Sequence, residues 1–211
     1  MLSTTRSFEL DRRVREAFDA GDLHAAAEHI LDTLGGDLVR VIHARFRNEQ
    51  ITADVFSSLA EDLWRGLPGF TFRCSVRAWL FTLVRNAGNR HLDRELRRER
   101  AQVPLSDAPE LRNAVGRART QTLAGMPSDG AERLTQLRNE LSEDDQLLLT
   151  LRVDRELDFR EIAVVMLGDE KAERPEVVRE AARLRKRFQL IKGRLRARWQ
   201  AEKKPDDSSE T

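Results

Sequence analysis

Apolar residues recur at steps of three and four in two distant stretches of the chain. Val55, Leu59, Leu63 and Leu67 repeat every four residues, and Leu184, Phe188, Ile191, Leu195 and Trp199 step by four, three, four and four. A helix of about 3.6 residues per turn brings such positions onto one face, so both stretches read as amphipathic helices with a single greasy side. No alternating Val/Ile/Thr run competes with them, tyrosine is absent, and glycine and proline are sparse. The chain is therefore expected to be all-α.

With 211 residues there is room for two small helical domains. Charged residues make up 35% against an apolar 40%, so the chain should fold while keeping very polar surfaces. Formal net charge is only +1, which argues against indiscriminate binding of polyanions. The sign is unevenly spread, however. Positions 177 to 199 hold nine Lys or Arg against one Glu, and positions 128 to 146 hold six acids against two bases. That asymmetry suggests one face for nucleic acid and another for a different partner.

A first helical block is expected over residues 8–100. In it Asp22 caps the helix that begins LHAAAEHIL, Gly35-Gly36 ends or bends that helix, and Pro68-Gly69 closes the helix DVFSSLAEDLWRGL. Residues 101–130 read as a linker with one short helix at PELRNAVGRAR, and residues 131–200 as a second block. There Ser142 caps SEDDQLLLTLRV, Asp158 and Glu161 form a capping box ahead of REIAVVML, Gly168 stops that helix, and Pro175 opens the next. The tail 201–211 has nothing to bury and is expected to be disordered.

Two constellations carry chemistry. REIAVVMLG followed by a basic amphipathic helix is what a helix-turn-helix requires, the second helix entering the major groove; the alternative is a solvated basic helix in a bundle. In SVRAWLFTLVRNAGNRHL, Trp79, Leu80, Leu83 and Val84 form an apolar stripe, whereas Arg77, Phe81 and Arg85 form a separate one at spacing four. Phe81 is thus expected to face outward, where it could stack on an unpaired base; the alternative is a Phe81 buried against a neighbouring helix. Other chemistries lack support. His24, His29, His43 and His91 show no metal spacing, Cys74 alone can form neither an internal disulfide nor a cysteine zinc cage, and no phosphate loop or nucleophile motif occurs.

DVFSSLAEDLW, SVRAWLFTLVRNAGNRHL and LSEDDQLLLTLRVDRELDFREIAVVMLG, in this order and with only a linker between the blocks, resemble bacterial RNA polymerase sigma factors of the extracytoplasmic-function (ECF) group. The resemblance implies a region 2-like domain at 8–100 and a region 4-like helix-turn-helix domain at 131–200. It implies core polymerase binding by the helix matching 54–67, at Asp54, Ser57, Ser58, Glu61, Asp62 and Arg65. The loop matching 70–75 would capture a flipped base, with minus-ten contacts and melting at Phe70, Phe72, Arg73, Ser75, Arg77, Phe81, Arg85, Asn86, Asn89 and Arg90. Minus-thirty-five contacts would come from Arg183, Arg185, Lys186, Arg187, Gln189, Lys192 and Arg194. Two departures stand out: Ser57-Ser58 replaces a Gln and an acid common in relatives, and DEKAER replaces the usual tight turn before Pro175.

The expected function is that of a sigma factor, which directs core RNA polymerase to promoters and assists their melting. It would not itself be an enzyme and would need no cofactor and no metal. Core RNA polymerase and promoter DNA are the expected partners, and the sequence leaves open whether an anti-sigma factor is another. No run of about 18 apolar residues is present to insert in a membrane, and MLSTTRSFELDRR lacks a signal-peptide core, so a cytoplasmic location is expected. Two alternatives remain: a stand-alone helix-turn-helix regulator and a helical protein-interaction module.

Overall fold

Four helices, α1 (Leu2–Asp19), α2 (Leu23–Phe46), α3 (Glu49–Gly66) and α4 (Val76–Ala101), make up the first half of the computed structural model, which describes residues 2–101 and 129–203. Helices α5 (Asp129–Asn139), α6 (Glu143–Leu149), α7 (Phe159–Leu167) and α8 (Arg174–Lys203) follow, and the described residues contain no strand. The protein is all-α. The linker helix anticipated at PELRNAVGRAR and the tail from position 204 lie outside the described residues.

Local signals set most helix ends. Asp22 accepts a hydrogen bond from the Ala25 amide at 2.9 Å, and Ser142 accepts one from Asp145 at 3.3 Å. Asp158 and Glu161 cap each other reciprocally: each side chain accepts from the other's amide at 3.0 Å. Gly168 leaves α7 with a φ of +75°, the left-handed region in which glycine pays no Cβ penalty. DEKAER is then a turn in which Asp169 accepts from the Lys171 amide at 2.8 Å, before Pro175 enters the first turn of α8.

Three expectations fail, each for a tertiary or backbone reason. Gly35-Gly36 does not end α2, which runs unbroken to Phe46. Two glycines cost about 1 kcal/mol each in a helix, but Leu34 and Leu38 beside them are buried and hold the helix in register. SEDDQLLLTLRV is not one regular helix, because Thr150–Asp154 forms a π turn that ends when Arg155 donates to the Thr150 carbonyl at 2.9 Å. Residues 201–203 continue α8 instead of starting a disordered tail.

The contacts divide the chain into two compact units. The first contains α1–α4 together with Val164–Glu173; the second contains α5, α6, the start of α7 and α8. In the first, α4 packs against α1, α2 and α3, and its Trp79, Leu80, Phe81 and Val84 join Val14, Ile30, Leu38, Ile42, Leu59 and Leu63 in the core. Gly88 lets α2 come close: a Cβ there would lie 2.6 Å from Arg45 Nη1 and 3.3 Å from the Phe46 ring. In the second unit, Leu148, Leu151, Leu157 and Ile162 are buried with Leu184 and Ile191 of α8.

Candidate functional site

The helix expected to face polymerase, α3, buries Val55, Leu59 and Leu63 and turns Asp54, Ser57, Glu61 and Arg65 to solvent, with Ser58 and Asp62 half-buried beside them. All six sequence-selected residues therefore lie away from the buried stripe. Asp54 accepts from Gln50 Nε2 at 3.1 Å, and Glu61 pairs with Arg65 at 2.7 Å. Asp62 pairs with Arg90 of α4, a residue assigned from sequence to DNA. Ser58, Glu61, Asp62 and Arg65 line a cleft of about 430 Å³ completed by Arg90, Asp93, Arg94 and Arg97 of α4. Sequence reasoning missed Asp93, Arg94 and Arg97, although their places three, four and seven residues after Arg90 would have put them on one helical face. Trp64, also missed, is 54% exposed next to this face, edge-on to His24 at 6.3 Å.

The stretch expected to contact an unpaired strand divides between helix and loop. Phe81 is only 1% exposed and Arg77 only 8%, so the outward placement of that stripe is overturned. The reason is packing: α4 has neighbours on three sides, and a second stripe is needed to fill the space that Trp79 and Leu80 do not. Farther along, Arg85 and Asn86 are half-buried. Asn86 Nδ2 donates to the Gly168 carbonyl at 3.0 Å within the first unit, and Asn89 accepts from Arg45 at 2.8 Å.

The loop before α4 behaves differently. Phe70 is buried and stacks on Trp79 at 4.4 Å with rings 15° apart, whereas Phe72 is half-buried and lies 4.6 Å from Phe70. Phe72 has a φ of +56°, a left-handed conformation that costs a bulky side chain about 1–2 kcal/mol. Arg15 of α1 lies over the Phe72 ring at 4.2 Å and Phe18 meets it edge-on at 5.4 Å. Arg73 is exposed, 3.8 Å from Glu173, and Ser75 caps α4 by accepting from the Ala78 amide at 3.1 Å. The loop thus presents an aromatic ring and a cation at the mouth of an aromatic stack.

In the second unit, the stripe Leu184–Phe188–Ile191–Leu195–Trp199 faces inward as expected, with Leu184 and Ile191 buried and the rest half-buried. Its seven selected polar residues separate into two groups. Arg187 and Arg194 both reach Asp145, at 2.5 and 3.1 Å, and Asp145 is only 6% exposed. Those two arginines pin α8 to α6 and leave the open face to others. Arg183, Arg185, Lys186 and Gln189 are exposed there, with Arg185 lying 5.2 Å over Phe159 and Lys192 half-buried over Phe188 at 5.8 Å. Asp145 could have been singled out only from the three-dimensional contact, since 42 residues separate it from Arg187.

No protein-family model matches this sequence, and no curated protein matches it. Among the described residues no helix is long and apolar enough to cross a membrane, and no group of His, Cys, Asp or Glu is arranged to hold a metal ion.

Proposed function

We propose that the chain is a sigma factor acting in the cytoplasm: it binds core RNA polymerase through the outward face of α3, captures an unpaired promoter base at the loop before α4, and contacts upstream duplex with α8. The observation that carries the reading is the loop, where a half-buried Phe72 in a left-handed backbone conformation stands beside exposed Arg73, on an aromatic stack continued by Phe70 and Trp79. Strain at a bulky residue persists only where the surroundings enforce it, and such sites concentrate where ligands bind. An aromatic face beside a cation suits a base and its phosphate. With Phe81 in the core, this loop rather than the middle of α4 is the place for base contact.

The outward cations of α8 support duplex binding as well, which is the one feature that a polymerase-independent regulator would share. A single experiment separates the two readings: capture of purified core RNA polymerase by this protein, followed by transcription from a library of promoter fragments. Capture with protein-dependent initiation is the expected result. Specific duplex binding by a protein that ignores polymerase would leave the regulator reading in its place.

A further inference from the structure

Asp11, Arg15 and Phe18 occupy positions i, i+4 and i+7 of α1 and so share one helical face. All three engage the same short segment. Asp11 Oδ1 accepts a hydrogen bond from the Val76 amide at 2.8 Å, satisfying one of the free donors at the start of α4. Arg15 covers the Phe72 ring at 4.2 Å, and Phe18 closes its edge at 5.4 Å with the rings 87° apart. Phe70 approaches the ring at 4.6 Å, so half-buried Phe72 is held by Arg15, Phe18 and Phe70. Arg12, about a quarter-turn away on the same helix, behaves otherwise: it is taken up by Glu9 and Glu16, three and four positions away, in exposed pairs.

We propose that this face of α1 is a clasp that positions the loop before α4, with Arg15 as the positioning residue that keeps Phe72 in its left-handed conformation. Resting on the base-capture reading above, the clasp pre-organises the loop, so that an unpaired base meets a backbone already set, with half-buried Phe72 and exposed Arg73 at its surface, instead of ordering one on arrival. The segment could relax to ordinary backbone angles without Arg15 over the ring. Asp11 fixes the end of the loop at Val76, and Arg15 with Phe18 fixes its middle.

Cys74, the single cysteine of the chain, lies within the same segment and reports on its opening. The test uses the full chain and compares the rate of Cys74 labelling by a thiol reagent in the native protein and in Arg15→Met, Arg15→Lys and Arg12→Met. Labelling in Arg15→Met should be faster by roughly two- to five-fold, the factor associated with an exposed cation–π contact. Arg15→Lys should recover part of the protection because it retains a cation, and Arg12→Met should match the native rate. Rates that do not change with low urea concentrations identify local opening and separate it from global unfolding. Unchanged labelling in Arg15→Met would overturn the clasp, whatever the protein does in the cell. A second arm assembles each variant with core polymerase and follows promoter opening: slowed opening with unaltered closed-complex affinity is expected for Arg15→Met. Faster labelling with opening unchanged would keep the clasp and overturn its link to base capture.

Discussion

Helices α4 and α8 carry the same sequence signature, an apolar stripe accompanied by arginines, yet they use it in opposite ways. In α8 one stripe faces the second unit, and Arg183, Arg185, Lys186 and Gln189 remain in solvent. In α4 the Trp79–Leu80–Val84 stripe is buried, and Arg77 and Phe81 of the neighbouring stripe are buried with it. The difference is the number of neighbours. Periodicity tells which residues share a helical face; it does not tell how many faces the fold will cover. A helix enclosed by α1, α2 and α3 has little surface to offer a ligand, so the proposed base contact falls to the loop that precedes it.

The comparison can be broken most forcefully at Phe81. Phe81→Ala should cost about 3–5 kcal/mol of stability in urea unfolding, as for other aromatic truncations in a packed core. A cost below about 0.5 kcal/mol would mean the ring is on the surface after all. The next largest effect is expected at Asp145, where truncation leaves Arg187 and Arg194 facing each other beside a buried gap. Loss of one partner from a fully buried pair costs about 3–5 kcal/mol. Because both arginines are well exposed, about 2 kcal/mol is the expected loss for Asp145→Ala, read from thermal or urea unfolding.

Smaller changes sharpen the contrast between scaffold and surface. Asp158→Ala removes one half of the reciprocal cap on α7 and should cost about 1 kcal/mol by the same measurement. At the outer face of α8, Arg183→Ala combined with Lys186→Ala should move stability by less than about 0.5 kcal/mol. The pair should nonetheless weaken duplex binding and reduce the slope of log affinity against log salt by about two, one for each lost phosphate contact. An unchanged salt slope would show that these two cations do not meet DNA.

What was legible in the sequence was local. Asp22, Ser142, Asp158 with Glu161, Gly168 and Pro175 each act within a turn of their own position, and each does in the structure what its spacing indicates. What was not legible depends on partners far along the chain. The continuity of α2 through Gly35-Gly36 comes from burial of Leu34 and Leu38, which no local rule supplies. Asp11 to Val76 spans 65 residues and Asp145 to Arg194 spans 49, so neither contact leaves a spacing to read. The six α3 residues came from the resemblance; what the regular apolar stripe adds is that they lie off the buried side of the helix. The cleft that Ser58, Glu61, Asp62 and Arg65 share with Arg94 and Arg97 was not legible, since it exists only where α3 and α4 lie together.

The measurement that bears most directly on the proposed role is initiation by purified core RNA polymerase on a promoter library, with native protein and with Arg183→Ala/Lys186→Ala in parallel. The proposal predicts initiation that depends on the native protein, and a variant that still binds polymerase but has lost promoter choice. Polymerase that neither binds the protein nor changes its start sites in its presence would contradict it.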